Sequence, residues 1–329
     1  MGEYAVEVEG LVRKFGDLVA VNGVTFNVNR GEIFGFLGPN GAGKTTTINM
    51  LCTLLAPTAG RATVDGFEVT RHKREIRQRI GLVFQDPSLD DRLTANENLD
   101  FHAVVYAVPP AVREKRKREL LEMVDLLDRA DDLVLTFSGG MKRRLEIARG
   151  LLHHPRVLFL DEPTIGLDPQ TRRYIWDYIK DLKNREEITI FLTTHYMEEA
   201  EHCDRIAIID HGNIIALDTP DNLKNMVGGD IIRIKTDDDA RAEELLRERF
   251  KVNILEDRDC LCFEVERGEE FIPRLFHDFE VPIQSINLHR PTLDDVFLKL
   301  TGREIRDEEA DGLMDMRRMV TRVRPPFAR

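Results

Sequence analysis

The stretch Ile33–Ile48 constrains the fold of this chain more than any other. An apolar run with β character ends just before Gly38, a glycine-rich loop follows, and a helix is expected to begin near Lys44. The loop has the spacing G-x-x-x-x-G-K-[ST] and ends in Lys44 and Thr45. Strand, glycine loop and helix in this order are typical of a phosphate-binding loop. The sequence therefore predicts that the chain binds a nucleoside triphosphate.

The residue types of this loop suit phosphate chemistry. Its glycines let the backbone curl so that several N–H groups point at one spot, and the helix behind them adds its positive end. Lys44 can reach the β- and γ-phosphates, and the Thr45 hydroxyl can ligate Mg²⁺. A glycine-rich turn at a helix start is the alternative, which the Lys-Thr pair disfavours. The residues predicted to hold the nucleotide here are Gly38, Pro39, Asn40, Gly41, Ala42, Gly43, Lys44, Thr45 and Thr46.

Length and composition limit the remaining possibilities. A chain of 329 residues suits one large and one small domain, and a hydrophobic fraction of 42% provides material for a core. The formal net charge of −12 disfavours a nucleic-acid partner, which usually requires a basic face. We find no apolar run long enough to cross a membrane and no signal-peptide pattern. We expect a cytosolic protein, unless a partner holds it at a membrane.

The pattern around the loop indicates an α/β core with insertions. Residues 5–28 predict short antiparallel strands, with Phe15 between two of them as either a stacking surface for adenine or a minor core residue. Two helices are expected at residues 94–106 and 111–127, which suggests a helical subdomain over about residues 87–153. We expect the basic cluster Arg113–Arg118 to lie on the solvated face of the second helix.

Two carboxylates follow a predicted buried strand. Val157–Leu160 is apolar and leads directly into Asp161 and Glu162, at the end of a parallel strand where α/β proteins bind ligands. Asp161 is suited to hold Mg²⁺ through water, and Glu162 to orient or deprotonate an attacking water. Two surface acids are the alternative. A second predicted strand delivers His195, whose neutral imidazole can bond a γ-phosphate oxygen or the water.

A second anion site is predicted where Ser138-Gly139-Gly140 begins a helix. Beyond Gly228-Gly229, which we take as a domain boundary, the pattern restarts in the order βαββαβ and predicts a small α+β domain over residues 229–302. Residues 303–329 are charged and are expected to form a tail that is either disordered or docked.

Together these motifs resemble the ATP-binding cassette of ABC transporters over about residues 4–225. The resemblance implies an α/β P-loop NTPase fold with a mixed sheet core, an antiparallel β subdomain and the inserted helical subdomain, over residues 1–228. The matching motifs are Gly38–Thr45 (Walker A), Gln85 (Q-loop), Ser138–Gly140 (signature), Leu160–Glu162 (Walker B), Asp168 (D-loop) and His195 (switch).

Two details resemble one subfamily, the daunorubicin/doxorubicin-resistance type of export ATPase. The signature has Phe137 and Met141 where Leu and Gln are common in the family. The stretch Pro291–Leu298 is similar to the ending of that subfamily.

The resemblance implies a working unit of two chains. Two cassettes would dimerise head to tail and enclose two ATP molecules with Mg²⁺, so that Ser138 and the Gly140 N–H face the γ-phosphate held by the partner chain. Phe15 would cover adenine. Gln85 would sense Mg²⁺ and link the site to a groove for a separate membrane permease, at the cytoplasmic face of the cell membrane. The implied catalytic set is Glu162, His195, Gln85, Ser138, Gly140 and Asp168, and the implied metal set is Thr45, Gln85 and Asp161.

We therefore predict an ATPase that powers an ABC exporter. The alternative is a soluble ABC ATPase that acts on ribosomes or nucleic acid. Such proteins usually carry two cassettes or a long coiled-coil insertion, which we do not find, and the chain is acidic. A nucleotide-regulated binding module without turnover is disfavoured by Glu162 and His195. The cargo is not encoded in this chain.

Overall fold

The computed structural model describes residues 3–186, 188–255 and 260–302. The predicted tail at residues 303–329 lies outside the described residues. The described chain divides into two compact units, one that runs to Asp218 and one that begins at Thr219. None of the described helices has both the length and the apolar character that crossing a bilayer requires.

The first unit contains two sheets. Its strands are β1 (Tyr4–Phe15), β2 (Leu18–Asn29), β3 (Ile33–Leu37), β4 (Ala59–Val64), β5 (Phe67–Glu68), β6 (Ile80–Val83), β7 (Val157–Asp161), β8 (Thr189–Thr194), β9 (Arg205–Asp210) and β10 (Asn213–Asp218). One sheet is antiparallel, with the order β2-β1-β4-β5. The other has the order β10-β9-β3-β8-β7-β6, in which only β10 is antiparallel to its neighbour. The predicted mixed core sheet and antiparallel subdomain are thus confirmed.

Helices surround these sheets. In the first unit they are α1 (Lys44–Leu51), α2 (Lys73–Arg77), α3 (Ala95–Val105), α4 (Pro110–Met123), α5 (Gly139–Leu151), α6 (Pro169–Glu186) and α7 (Met197–Ala200). A capping box between Thr94 and Glu97 begins α3, as their spacing predicts. Pro110 occupies the first turn of α4, where its missing N–H costs nothing.

An aromatic cluster fills the space between the two sheets. It joins one ring from the antiparallel sheet to four from the mixed sheet, and the paired ring centroids lie 5.4–6.1 Å apart. Its members are Phe26, Phe34, Phe36, Phe159 and Phe191, all nearly inaccessible to solvent. Such pairs contribute about 0.5–1.5 kcal/mol each beyond the burial of their area. The cluster fixes the strands that carry the site.

The strand order brings three strand ends together. In the mixed sheet β8 lies between β3 and β7, with Leu37 opposite Thr194 and Asp161 opposite Thr193. Because these strands are parallel, the segments that follow them emerge at the same edge of the sheet. The glycine loop after β3, the carboxylates of β7 and the residue after β8 therefore meet.

The basic cluster on α4 lies only in part on a solvated face: Lys115 and Arg118 are exposed as expected, but for Arg116 and Lys117 the expectation is wrong. Arg116 and Lys117 are only 6% and 4% exposed. Arg116 donates to the Leu151 carbonyl oxygen at the end of α5, and Lys117 pairs with Asp100 and Glu114. Long cationic side chains can cover apolar surface with their stems, so helical periodicity alone does not fix their exposure.

The second unit has its own sheet and core. Its elements are α8 (Pro220–Asn225), β11 (Asp230–Thr236), α9 (Asp239–Glu248), β12 (Ile254–Leu255), β13 (Leu261–Val265), α10 (Gly268–Asp278), β14 (Ile283–His289) and α11 (Leu293–Thr301). The strands form an antiparallel sheet in the order β12-β13-β11-β14. The βαββαβ order follows the expectation.

The unit begins before the boundary expected at Gly228-Gly229, because α8 packs with α11. Lys299 on α11 donates to the Met226 and Val227 carbonyl oxygens, which ties the end of α8 to this unit.

Candidate nucleotide site

The glycine loop after β3 is packed closely against neighbouring backbone. A Cβ at Gly38 would overlap the Ile209 carbonyl oxygen on β9. Gly43 has a φ of 106°, a conformation that side chains disfavour, and a Cβ there would lie 2.5 Å from the Ala20 carbonyl oxygen. Gly43 also precedes α1 without any side-chain cap, so the N–H groups of the first turn remain available. The loop is thus a rigid cradle in front of the positive end of a helix.

Lys44 begins α1 and its side chain is buried. Its Nζ donates to the carbonyl oxygens of Gly38 and Pro39 at 2.8 and 3.1 Å. Nζ also lies 3.0 Å from Glu162 Oε1, and both side chains are about 5% exposed or less. The ammonium is therefore held where loop and carboxylate meet, with one full counter-charge.

Asp161 ends β7 and accepts two hydroxyl hydrogen bonds. Thr193 Oγ1 donates to its Oδ1 at 2.5 Å, and Thr45 Oγ1 to the same oxygen at 3.3 Å. Burial raises the pKa of Asp161, an effect that the two hydroxyls oppose. A carboxylate that is costly to bury is one that a cation would stabilise.

Glu162 follows directly, in a left-handed backbone conformation with a φ of 46°. Its N–H donates to Thr193 Oγ1 at 3.0 Å, and its Oε2 lies 3.3 Å from His195 Nδ1. Burial raises the pKa of Glu162, but the contact with His195 and the charge of Lys44 outweigh burial, so that the pKa lies below its ordinary value. The carboxylate is charged at neutral pH and touches both the lysine and the histidine.

The predicted signature residues lie in a different place. Ser138 is the N-cap of α5, and its Oγ accepts from the Met141 N–H at 3.3 Å. Ser138 and Gly140 line a cavity of about 390 Å³ together with Asp168, which itself accepts from the Thr171 hydroxyl and N–H. Among the described residues, no hydrogen bond joins Ser138 or Gly140 to the glycine loop. The structure therefore groups the predicted site residues into two clusters.

Two further predicted residues lie at exposed positions. Phe15 ends β1 with 45% of its surface exposed, and the Arg13 guanidinium lies 4.5 Å from its ring centroid. Of the two interpretations of Phe15, the exposed ring agrees better with a stacking surface than with a core residue. Gln85 is exposed just after β6 and lines a cavity of about 330 Å³ with residues of α5 and of the segment after Glu162.

Sequence reasoning missed two residues that organise the first cluster. Thr193 binds both Asp161 and the Glu162 N–H, and a hydroxyl in register with Asp161 on the adjacent strand was the available signal. Arg143 on α5 donates to the carbonyl oxygens of Asp161 and Glu162 at 3.0 and 3.2 Å. The sequence carried no signal for Arg143, since it reads as one of three consecutive basic residues.

The oxygen atoms of this cluster fit a hard cation. The Thr45 hydroxyl and the Asp161 carboxylate adjoin each other beside the loop. Within the described residues, no group of three or more His, Cys, Asp or Glu is arranged to hold a metal. Mg²⁺ usually takes one or two protein ligands and completes its shell with water and substrate phosphates. The residues present fit such a shared ion.

A glycine loop whose lysine meets a carboxylate that follows a parallel strand two positions away in the same sheet is typical of a P-loop nucleoside triphosphatase. The family described as ABC transporter matches residues 21–165, and the C-terminal domain of ATP-binding proteins like DrrA1-3 matches residues 219–301. The second match begins where the second compact unit begins.

Relatives extend the match over nearly the whole chain. The daunorubicin resistance ATP-binding protein DrrA2 of Streptomyces coeruleorubidus is 41% identical over 94% of this chain and 99% of its own length. The Nod factor export ATP-binding protein I of Ralstonia nicotianae is 40% identical over 92% and 95%. A dimeric ATP-binding cassette solved in a post-hydrolysis state with ADP and Pi is 30% identical, with a TM-score of 0.59 over 65% of this chain and 98% of that one.

The chain belongs to the ATP-binding proteins of ABC transporters, of the daunorubicin-resistance type. It binds ATP, and its enzymatic activity is ATP hydrolysis. The resemblance stated from the sequence motifs is confirmed.

Proposed function

We propose that this chain is the ATP-hydrolysing subunit of an exporter and that a separate polypeptide forms the membrane path. Relatives named for drug resistance and for Nod factor export support this proposal, since they match more than nine-tenths of the chain. The observation that carries the catalytic part is the buried contact of Glu162 with both Lys44 and His195.

In this proposal the first cluster binds and cleaves ATP. Phe15 stacks on adenine, and the loop from Gly38 to Thr46 together with the N-terminus of α1 binds the phosphates. A triphosphate offers Lys44 a second anionic partner, so its hold on Glu162 weakens when ATP binds. Glu162 then orients or deprotonates the attacking water, and His195 bonds the γ-phosphate or that water.

Magnesium belongs to the same proposal. Thr45 and Asp161 hold the ion, with Gln85 as a further ligand, and the hydrogen bond from Thr193 keeps the Asp161 carboxylate oriented. The ion would neutralise charge on the β- and γ-phosphate oxygens.

We further propose that catalysis requires two chains arranged head to tail. The two clusters of predicted site residues support this idea, because Ser138 and Gly140 do not bond to the chain's own loop. Ser138, Gly140 and Asp168 would act at the ATP of the partner chain. Each ATP then contacts both chains, and loss of the γ-phosphate reopens the dimer. The dimeric cassette among the related structures is the precedent.

The membrane permease places the chain at the cytoplasmic face of the cell membrane. We assign the cassette to the first compact unit and a separate role to the second, and we propose no nucleic-acid partner. The net charge of −12 supports the last point, and two of the basic residues of α4, Arg116 and Lys117, are engaged within the fold.

A single preparation tests both partners. The Glu162→Gln variant, purified by tag from detergent-solubilised cells in ATP, should run at the mass of two cassettes plus a polytopic membrane protein. With ADP the soluble chain alone should run as a monomer. Recovery with ribosomes or nucleic acid would support the alternative, and a monomer in ATP would refute the head-to-tail pair.

A further inference from the structure

Three charged residues stand one turn apart on the buried face of α5. Arg143, Glu146 and Arg149 are 6%, 1% and 6% exposed. Residues three apart share a helix face, so the three side chains form one row. Burial of charge is costly unless each group is paired and hydrogen-bonded. The hydrogen-bond partners of these three side chains therefore show what the buried charges stabilise.

Arg143 binds the bend that carries Glu162. Its Nε donates to the Pro163 carbonyl oxygen at 2.7 Å, and Nη2 donates to those of Asp161 and Glu162 at 3.0 and 3.2 Å. Three consecutive carbonyls are thus held by one guanidinium. The bend has a left-handed residue with a side chain, Glu162, which costs about 1–2 kcal/mol and persists only when its surroundings impose it.

The same guanidinium also binds the strand end that precedes Gln85. Nη1 donates to the Phe84 carbonyl oxygen at 2.5 Å and to Glu146 Oε2 at 3.1 Å. Glu146 supplies the opposite charge next to Arg143 and accepts from the Ser88 N–H at 2.7 Å.

Arg149 completes the attachment of this segment by donating to the Ser88 carbonyl oxygen at 2.5 Å. Residues 84–88 are exposed, and Gln85, Asp86 and Pro87 border the cavity of about 330 Å³. Hydrogen bonds from α5 to Phe84 and Ser88 hold both ends of this segment.

We infer that Arg143 is a positioning residue that ties the Glu162 bend and the Gln85 segment to the helix that begins at Ser138. The inference rests on the proposed roles of Glu162, Gln85 and Ser138. Glu146 keeps the guanidinium oriented and neutralised. In a head-to-tail pair the start of α5 faces the partner's ATP, so Arg143 transmits the position of that helix to the chain's own catalytic carboxylate.

The test separates positioning from stability. The double variant Arg143→Met/Glu146→Met removes the closer buried ion pair as a whole, and Arg149, which lies 4.0 Å from Glu146, keeps its hydrogen bonds to Ser88. We expect it to fold and to bind ATP with a Kd near that of the wild type, while kcat falls by about 10²-fold because the reacting groups are misplaced. Arg143→Lys keeps the charge but loses the planar fork, so kcat stays low in it as well.

Arg116→Met is the matched control, because Arg116 is equally buried and donates to a backbone carbonyl oxygen away from Glu162. It should lose stability and retain its kcat. A wild-type kcat in the double variant would overturn the inference. So would a loss of ATP affinity as large as the loss of kcat. If the double variant does not fold, kcat and the ATP Kd of Arg143→Lys test the inference in its place.

Glu162→Gln is measured in parallel to separate the two proposals. If it loses turnover while the double variant does not, the inference about Arg143 alone is wrong. If Glu162→Gln retains full turnover, the proposed role of Glu162 is wrong, and the inference falls with it.

Discussion

The buried ion pair of Lys44 and Glu162 should contribute to the stability of the folded chain as well as to catalysis. In Glu162→Gln the ammonium loses the counter-charge that lies 3.0 Å away, while the Gly38 and Pro39 carbonyl oxygens remain as acceptors. Removal of one partner of a buried pair usually costs 3–5 kcal/mol. Because two carbonyl oxygens and the new amide oxygen can still accept from Lys44, we expect the free energy of unfolding to fall by about 2 kcal/mol.

The expected change in melting temperature follows from this value. For a domain of the size of the first unit, about 2 kcal/mol lowers Tm by about 4–8 °C. A bound triphosphate replaces the missing negative charge, so the variant should regain this difference on binding. Nucleotide should therefore raise the Tm of Glu162→Gln by several degrees more than that of the wild type.

Differential scanning calorimetry with and without a saturating non-hydrolysable ATP analogue measures both shifts. Glu199→Gln is the matched control. Glu199 is a buried carboxylate that accepts from the Thr164 and Thr194 hydroxyls and does not contact Lys44. The rise in Tm of Glu199→Gln on nucleotide binding should equal that of the wild type. Equal shifts for Glu162→Gln and the wild type would refute the reasoning.

Three further outcomes follow from the site. Glu162→Gln should also lower kcat by about 10²–10⁴-fold, the usual contribution of a general base, in a steady-state assay of phosphate release. Gly38→Ala should lower stability by about 1–3 kcal/mol and weaken ATP binding in calorimetry, because its Cβ overlaps the Ile209 carbonyl oxygen. Gly31→Ala, which places a Cβ in open space at a positive φ, should leave ATP binding unchanged. The pKa of Glu162 in the folded protein lies below its ordinary value of 4.5. The charged carboxylate therefore stabilises the fold above pH 4.5, and this stabilisation is lost as the pH falls through the lowered pKa. The free energies of unfolding of the wild type and Glu162→Gln, measured against pH, should thus converge only below pH 4.5.

The parts of the site that the sequence predicts are those encoded locally. The glycine spacing before Lys44 specifies a turn and a helix start within eight residues, and the apolar run before Asp161 specifies a buried strand with acids at its end. The carboxyl ends of parallel strands share one edge, so their convergence also follows from local patterns.

The contacts between distant elements could not be predicted in this way. Arg143 binds carbonyl oxygens 18–20 residues further along the chain and another 59 residues before it, and none of these acceptors has a sequence signature. Likewise the pairing of Lys44 with Glu162 depends on the order of strands in the sheet. The prediction that Arg116 and Lys117 are exposed to solvent was wrong for the same reason, because Leu151 and Asp100, which they bind, lie on other helices.

The most direct test of the shared site mixes two inactive variants. By their proposed roles, Glu162→Gln should disable the cluster around Lys44, and Ser138→Ala should disable the cluster at the start of α5. In a head-to-tail pair of one chain of each kind, one ATP site carries both changes and the other carries neither. Mixed in equal amounts, the two variants should recover up to about a quarter of wild-type turnover, because half of the pairs are mixed and each has one intact site. Turnover that stays at the mean of the two separate preparations would contradict the account.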